Sequence, residues 1–373
     1  MPSPPPQAQT IHNLITPVFG VAAVVFVLIL GGALFVAFKF RAKDEDDFHD
    51  FPEQVHGNTR LEIGWTILPA VILLFVGIAT VATIFDLAKE PPKDAVRVEV
   101  IGQQWWWEYR YDLDGDKQYD DIVTANDLVI PAGRPVSLRI TSRDVIHSFW
   151  VPALNGKKDA VPNHRSPLTI EADEPGEYIG QCTEFCGLSH AEMRLKVVAV
   201  DDASYDSWTE QQQKSPDIPK DALAIEGWKV FAGQCTSCHH IDGMKDPSDL
   251  KEGDEPEEAE LKTFVYPKII NQESGAAPNL THLMTRSTFA GAKFNLRKDT
   301  PECNELGWEW AKTDEGVEKC LNRGDLEKWL RNAPAMKAMA PGEAMNPGSR
   351  GMPNLNLTEQ QIDQLVAYLS TLR

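Results

Sequence analysis

The chain has 373 residues, two to three times a usual domain length, so several folding units are expected. Its 36 Lys and Arg stand against 55 Asp and Glu, and the formal charge of −19 argues against nucleic acid as a partner and favours basic proteins instead. The mean hydropathy of −0.30 looks soluble, but it averages over two long apolar runs.

The first run, Val18 to Phe38, holds 21 residues without a charge, and the second, Ile63 to Phe85, holds 23 with Pro69 inside. At about 1.5 Å per residue each reaches across a hydrocarbon core of roughly 30 Å. A proline is tolerated in a span where neighbouring helices resatisfy the freed carbonyl. A transmembrane hairpin is expected, with helices over 18–38 and 63–86. Lys39, Arg41, Lys43 and Arg60 lie in the connection 39–62, which the positive-inside tendency puts in the cytoplasm. Residues 1–17 are then an exterior tail, and 87–373 an exterior portion. The opening MPSPPPQAQT lacks the basic region of a signal peptide, so the first run reads as a retained span. Thr59-Arg60-Leu61-Glu62 fits a capping box at the start of the second span.

From 95 to 200 apolar and polar residues alternate, as in VRVEVIG, LVIPAGRPVSLRITS and MRLKVVAV, with Pro, Gly and Asp between the runs. That pattern predicts a β-sandwich, here assigned to residues 87–203. Trp105, Trp106 and Trp107 alternate faces, so at least one indole is expected to point away from the core. Within 12 residues, Cys182, Cys186, His190 and Met193 supply two thiolates, an imidazole and a thioether. Such soft ligands suit copper, because thioether is a poor zinc ligand. His147 adds a second imidazole at the end of an apolar strand pattern. Residues 204–222, containing KSPDIP, read as a flexible tether that would keep the C-terminal segment at millimolar effective concentration beside the sandwich.

In that last segment, 223–373, Cys235-Thr-Ser-Cys238-His239 is a CxxCH motif. It implies covalent haem c, with thioethers from Cys235 and Cys238 and the proximal nitrogen from His239. A redox pair or half a zinc site are the alternatives, and His239 and the exterior location argue against both. A thioether usually completes such an iron. Met336, Met339, Met345 and Met352 all lie C-terminal to the motif; Met352, in Gly351-Met352-Pro353 before a final helix, is chosen, with Met345 next. That helix is expected over Thr358 to Leu372, capped by Thr358, with Ile362, Leu365, Val366 and Leu369 on one face. Cys303 and Cys320 enclose 16 residues and are expected to form a disulfide worth about 3 kcal/mol. Residues 242–260, with nine acidic and two basic side chains, read as a solvated loop, and His240 as a surface residue.

GWKVFAGQCTSCHH and GMPNLNLTEQQIDQLVAYLSTL resemble the first and last helices of small class I cytochromes c, with a long insertion between. The loop from Gln181 to Met193, with His147, resembles the dinuclear copper A site. That likeness implies a cupredoxin-like fold, bridging Cys182 and Cys186, terminal His147 and His190, and weak ligands from Met193 and the Glu184 carbonyl. Gln104 to Tyr109 resembles the aromatic run of cytochrome c oxidase subunit II whose first Trp receives electrons, here Trp105, although the middle aromatic is Trp106 and not the commoner Tyr. With Leu61 to Ala70 and the hairpin, the whole chain resembles subunit II of a haem-copper oxygen reductase with a fused, all-α cytochrome c domain.

The resemblance implies a multidomain protein of the bacterial plasma membrane, its copper and haem domains on the periplasmic face. It implies a relay from a donor cytochrome c or cytochrome bc complex through haem c and copper to catalytic subunit I of a proton-translocating oxidase, where oxygen is reduced, alongside further oxidase subunits. Glu62 would lie at a proton-channel entrance in the partner, and the Glu184 carboxylate would meet an interface Mg²⁺, which needs further oxygens from that partner. Two other functions share parts of the pattern: the small subunit of a copper-containing nitric oxide reductase, and a membrane-tethered copper chaperone, which needs an open Cys pair.

Overall fold

The computed structural model describes residues 6–41, 56–247, 262–264, 277–339 and 350–373. The chain divides into two units, residues 6–90 and 91–373. The first holds two helices, α1 (Pro6–Lys39) and α2 (Thr59–Leu87), neither of which buries a residue. Both are long and apolar enough to cross a membrane. Helix α1 extends the expected span toward the N-terminus, so most of the tail assigned to 1–17 is helical. Polar side chains there bond along the helix, Gln9 to Asn13 and Thr10 to the Pro6 carbonyl, and hydropathy alone does not register such residues. The capping box proposed for Thr59 and Glu62 is not formed. Asn58 is the N-cap, accepting from the backbone N–H of Arg60 and Leu61 at 3.1 and 3.3 Å, and Thr59 is already inside the helix.

The second unit begins with a sandwich of two five-stranded sheets. One has the order β3 (Ile122–Ala125), β2 (Trp106–Asp112), β1 (Val96–Gln103), β5 (Val136–Ser142), β8 (Ser166–Ile170). The other runs β4 (Asp127–Pro131), β10 (Arg194–Val200), β9 (Gly176–Cys182), β6 (His147–Trp150), β7 (Lys158–Ala160). The pairs β1 with β5 and β10 with β4 are parallel and the rest antiparallel. Strand alternation sends Val98, Val100, Trp107, Tyr109 and Tyr111 into the core with Leu128, Ile130, Leu138 and Phe149. It sends Glu99 and Glu108 the other way, where Arg139 and Arg165 pair with Glu99, and Arg110 and Arg143 with Glu108.

As expected, one indole of the three points away from the sandwich core: Trp105 and Trp107 belong to that core, whereas Trp106 does not, although it too is buried. One expectation fails in this region: 204–222 is not a free tether. Its first half belongs to helix α3 (Asp202–Gln212), capped by Asp201, whose Tyr205 and Trp208 join the sandwich core. Trp208 lies 5.3 Å from Tyr111, ring to ring.

The C-terminal segment has its own core. Helix α4 (Ala222–Gln234) crosses α8 (Glu359–Leu369), and between them lie a short hairpin of β11 (Thr288–Phe289) and β12 (Phe294–Asn295) and helices α5 (Pro301–Glu305), α6 (Asp314–Cys320) and α7 (Arg323–Met336). Thr358 caps α8 as expected, in a capping box with Gln361, and Ile362, Leu365, Val366 and Leu369 are buried. Cys303 and Cys320 form the expected disulfide, Cα to Cα 5.6 Å, which ties α5 to α6. The acidic run beyond 247 lies outside the described residues.

This segment is docked on the sandwich through buried polar groups. Asp127 on β4 accepts from the backbone N–H and hydroxyl of Ser287 and from the hydroxyl of Thr288. Arg286 donates to Thr124, Arg297 to Glu177, and the backbone N–H of Arg194 to the carbonyl of Gly291. Close approach of α4 to α8 depends on Gly227, where a Cβ would collide with the carbonyl of Gln364. Gly227→Ala should therefore destabilise this segment by about 1–3 kcal/mol, read as a lower midpoint in thermal unfolding.

Candidate functional site

The sandwich brings a set of metal-ligating atoms to one end. Strand β6 opens with His147, β9 closes with Cys182, and the register pairs Phe149 with Cys182. The loop after β9 supplies Cys186, a short 3-10 turn over His190–Glu192 supplies His190, and Met193 precedes β10. Sγ of Cys182 lies 3.8 Å from His147 Nδ1, 3.7 Å from Cys186 Sγ and 3.3 Å from the Glu184 carbonyl oxygen. Sγ of Cys186 lies 3.6 Å from His190 Nδ1 and 3.8 Å from Met193 Sδ. All six expected groups therefore converge. Adjacent donors at these spacings suit metal–sulfur bonds of about 2.3 Å, and the two-thiolate, two-imidazole, thioether set matches soft copper. Such a closed ring is not the open Cys pair that a copper chaperone needs.

His147 is fixed from behind. Its Nε2 donates to Asp144 Oδ1 at 2.8 Å, and Asp144 also accepts from the backbone N–H of Gln104 at 2.8 Å. That leaves Nδ1 facing the thiols. Burial opposes the charged imidazole, yet the bonds to Asp144 and Cys182 hold its pKa above the ordinary histidine value. Burial also opposes the Asp144 carboxylate, but bonds from His147 and the Gln104 N–H hold it below the ordinary range. The Cys186 hydrogen bond holds Cys182 well below the usual thiol range, and the same contact raises Cys186.

A cavity of 380 Å³ lies in the C-terminal segment against the sandwich. Cys235, Cys238, His239 and Met352 line it, as do Trp105 and Lys337. The Nδ1 of His239 lies 2.8 Å from the carbonyl of Pro278, which can only accept, so Nδ1 carries the proton and Nε2 keeps its lone pair. Burial lowers the His239 pKa, which keeps the ring neutral, and pushes the Cys235 thiol up to about 12. Two sulfurs, a ligating nitrogen and apolar walls from Phe231, Leu330 and Leu365 fit covalent haem. Met339 lines the same cavity, and Met345 lies outside the described residues.

Trp105 meets both places. It lines the cavity, and its Nε1 donates to the carbonyl of Cys186 at 2.9 Å. Glu62 belongs to the other unit, in the first turn of α2, and the Glu184 side chain is exposed. Residue pattern alone does not single out Lys337, Asp144 or Pro278 as functional. Asp144 carries a usable signal, an acid three residues before a ligand His, whereas nothing local marks Lys337.

The family model for the transmembrane domain of cytochrome c oxidase subunit II matches residues 2–82, and that for its periplasmic domain matches residues 113–200. Cytochrome c oxidase subunit 2 of Alkalihalophilus pseudofirmus is 38% identical over 64% of this chain and 69% of that protein. The subunit 2 of Bacillus sp. strain PS3 is 31% identical over 89% of this chain and 79% of that protein. The crystal structure of the periplasmic domain of subunit II of the Bradyrhizobium japonicum oxidase is 32% identical, covering 33% of this chain and 97% of that one, with a TM-score of 0.30. Two apolar helices and a sandwich with this ring define an electron-input component of a haem-copper oxidase. The chain belongs to the cytochrome c oxidase subunit II family, whose members bind the dinuclear copper A centre and work with a catalytic subunit as an oxidoreductase in the membrane.

Because Asp144 fixes the His147 tautomer, Asp144→Ala should weaken copper retention about 10–100-fold, measured by competition with a chelator.

Proposed function

We propose that residues 223–373 form a cytochrome c domain and that this chain passes electrons from haem c to a dinuclear copper centre and on to the catalytic subunit. His147, Cys182, Cys186, His190, Met193 and the Glu184 carbonyl would hold the copper pair. Cys235 and Cys238 would bind the haem, and His239 and Met352 would supply its nitrogen and thioether ligands. Bound there, each group takes up and releases single electrons without making or breaking substrate bonds. The cysteines, imidazoles and thioether hold the geometry fixed, which keeps rearrangement on electron transfer small.

The single observation that carries this assignment is the position of Trp105, between the cavity that CxxCH lines and the carbonyl of the copper ligand Cys186. Its indole N–H reaches the copper ligand's carbonyl through a single hydrogen bond, and the same residue lines the cavity. The buried seam around Asp127 holds that link in place, so no diffusional encounter between the domains is needed. The exterior portion faces the periplasm, the donor is a basic cytochrome c or a cytochrome bc complex, and the charge of −19 favours its approach.

Metal and pigment analysis of the purified complex tests the core of this proposal. One haem c that stays attached under denaturing conditions and two coppers with a mixed-valence paramagnetic resonance signal are expected per chain. Zinc in place of copper, or haem lost on denaturation, would refute it. Cys235→Ala with Cys238→Ala should abolish covalent haem while leaving the copper signal.

Glu62 is assigned to a proton-channel entrance in the catalytic subunit, and the Glu184 carboxylate to an interface Mg²⁺. Turnover measurements check the outlying assignments: Glu62→Gln should slow proton uptake, Glu184→Gln should lower bound Mg²⁺, and reduction by external cytochrome should slow as salt rises. Unchanged values would remove the corresponding role.

A further inference from the structure

Lys337 is 3% exposed, yet it has no carboxylate within hydrogen-bonding distance among the described residues. Its Nζ donates to two backbone carbonyls, Trp105 at 2.8 Å and Ala290 at 2.7 Å. Burying an ammonium costs several kcal/mol, so a neutral side chain would serve mere packing better. Lys337 stands at the C-cap of α7, where the backbone turns extended, beyond the break at Asn332. Its side chain therefore leaves the helix and reaches into the sandwich.

What it holds is specific. The Trp105 indole N–H donates to the Cys186 carbonyl at 2.9 Å, and the Gln104 side-chain amide donates to the same oxygen at 2.7 Å. Ala290, the second acceptor, precedes Gly291, whose carbonyl receives the backbone N–H of Arg194, one residue beyond Met193. A Cβ on Gly291 would collide with the Trp105 carbonyl, so the loop lies directly against that residue. One amino group thus ties the cavity wall, Trp105 and the loop beside the copper ring together. Both bonds can be made by an ammonium or by a neutral amine, so the tie does not depend on protonation.

We propose that Lys337 is a positioning residue for electron transfer between the cavity and the copper ring: it fixes the Trp105 backbone so that the indole stays against the Cys186 carbonyl. This rests on the assignment of Trp105 as the link. Lys337→Met leaves the Trp105 carbonyl without its donor, and the indole is then held from one side only.

The test uses the whole oxidase complex with Lys337→Met, Lys337→Gln, Lys337→Arg, Trp105→Phe and the double variant Lys337→Met with Trp105→Phe. Copper and haem content and the near-infrared copper band establish that each variant is loaded, and Lys337→Gln replaces Lys337→Met if that one is not. Two quantities are read: the rate of light-triggered electron transfer from haem to copper, and hydrogen exchange of the backbone at residues 104–107. Lys337→Met should slow transfer at least about tenfold and speed exchange at 104–107. Lys337→Arg, which can also donate to two carbonyls, should recover most of both. The double variant should be no slower than Trp105→Phe alone, because both act through one indole.

Lys337→Met with unchanged rate and exchange, beside a slow Trp105→Phe, overturns the proposal and spares the Trp105 link. Effects of the two substitutions that multiply also overturn it, since Lys337 would then act elsewhere. Trp105→Phe at the parent rate overturns the link itself, and the role of Lys337 with it.

Discussion

A seam of buried polar groups joins the C-terminal segment to the sandwich, and the rest of the exterior unit depends on it. Asp127 receives three hydrogen bonds from Ser287 and Thr288, while Arg297 and Lys196 share Glu177. Asp127, Ser287, Thr288, Arg297 and Lys196 are buried, so leaving one of them unpaired would cost roughly 1–3 kcal/mol. The seam is therefore demanding about geometry in a way that apolar contact is not, and it selects one docked arrangement. A flexible tether raises local concentration but leaves orientation free. The seam fixes orientation as well, and orientation is what a short electron route needs.

The two candidate sites use the same principle at smaller scale. In the copper ring, Asp144 aims His147, and the strand pairing of β6 with β9 sets the distance between that imidazole and Cys182. In the cavity, the Pro278 carbonyl aims His239. In both, the ligand that the metal would meet is held by a second group that never meets it, so little has to move when charge arrives.

Much of the chain was legible from residue pattern. The two spans, the alternating strands, the Thr358 cap, the disulfide and the converging donors from Cys182 to Met193 all follow from local rules of charge, period and spacing. Two readings failed because a neighbour outside the motif changed the local environment. Tyr205 and Trp208 turn a supposed tether into a packed helix. Asn58, one residue earlier, takes the cap that Thr59 was expected to provide.

The sequence by itself determined which atoms are available for chemistry: thiolates, imidazoles and thioethers at fixed short spacings, and apolar runs long enough for a bilayer. Those are local properties, set by residue identity and by the rise of a helix or strand. Only the tertiary structure decided how the sites relate, because Trp105, Cys186 and Lys337 come from three parts of the chain separated by 81 and 151 positions. No periodicity connects residues so far apart. Their meeting is fixed by long-range packing and by the need to pair every buried polar group, which a linear reading of residues does not contain.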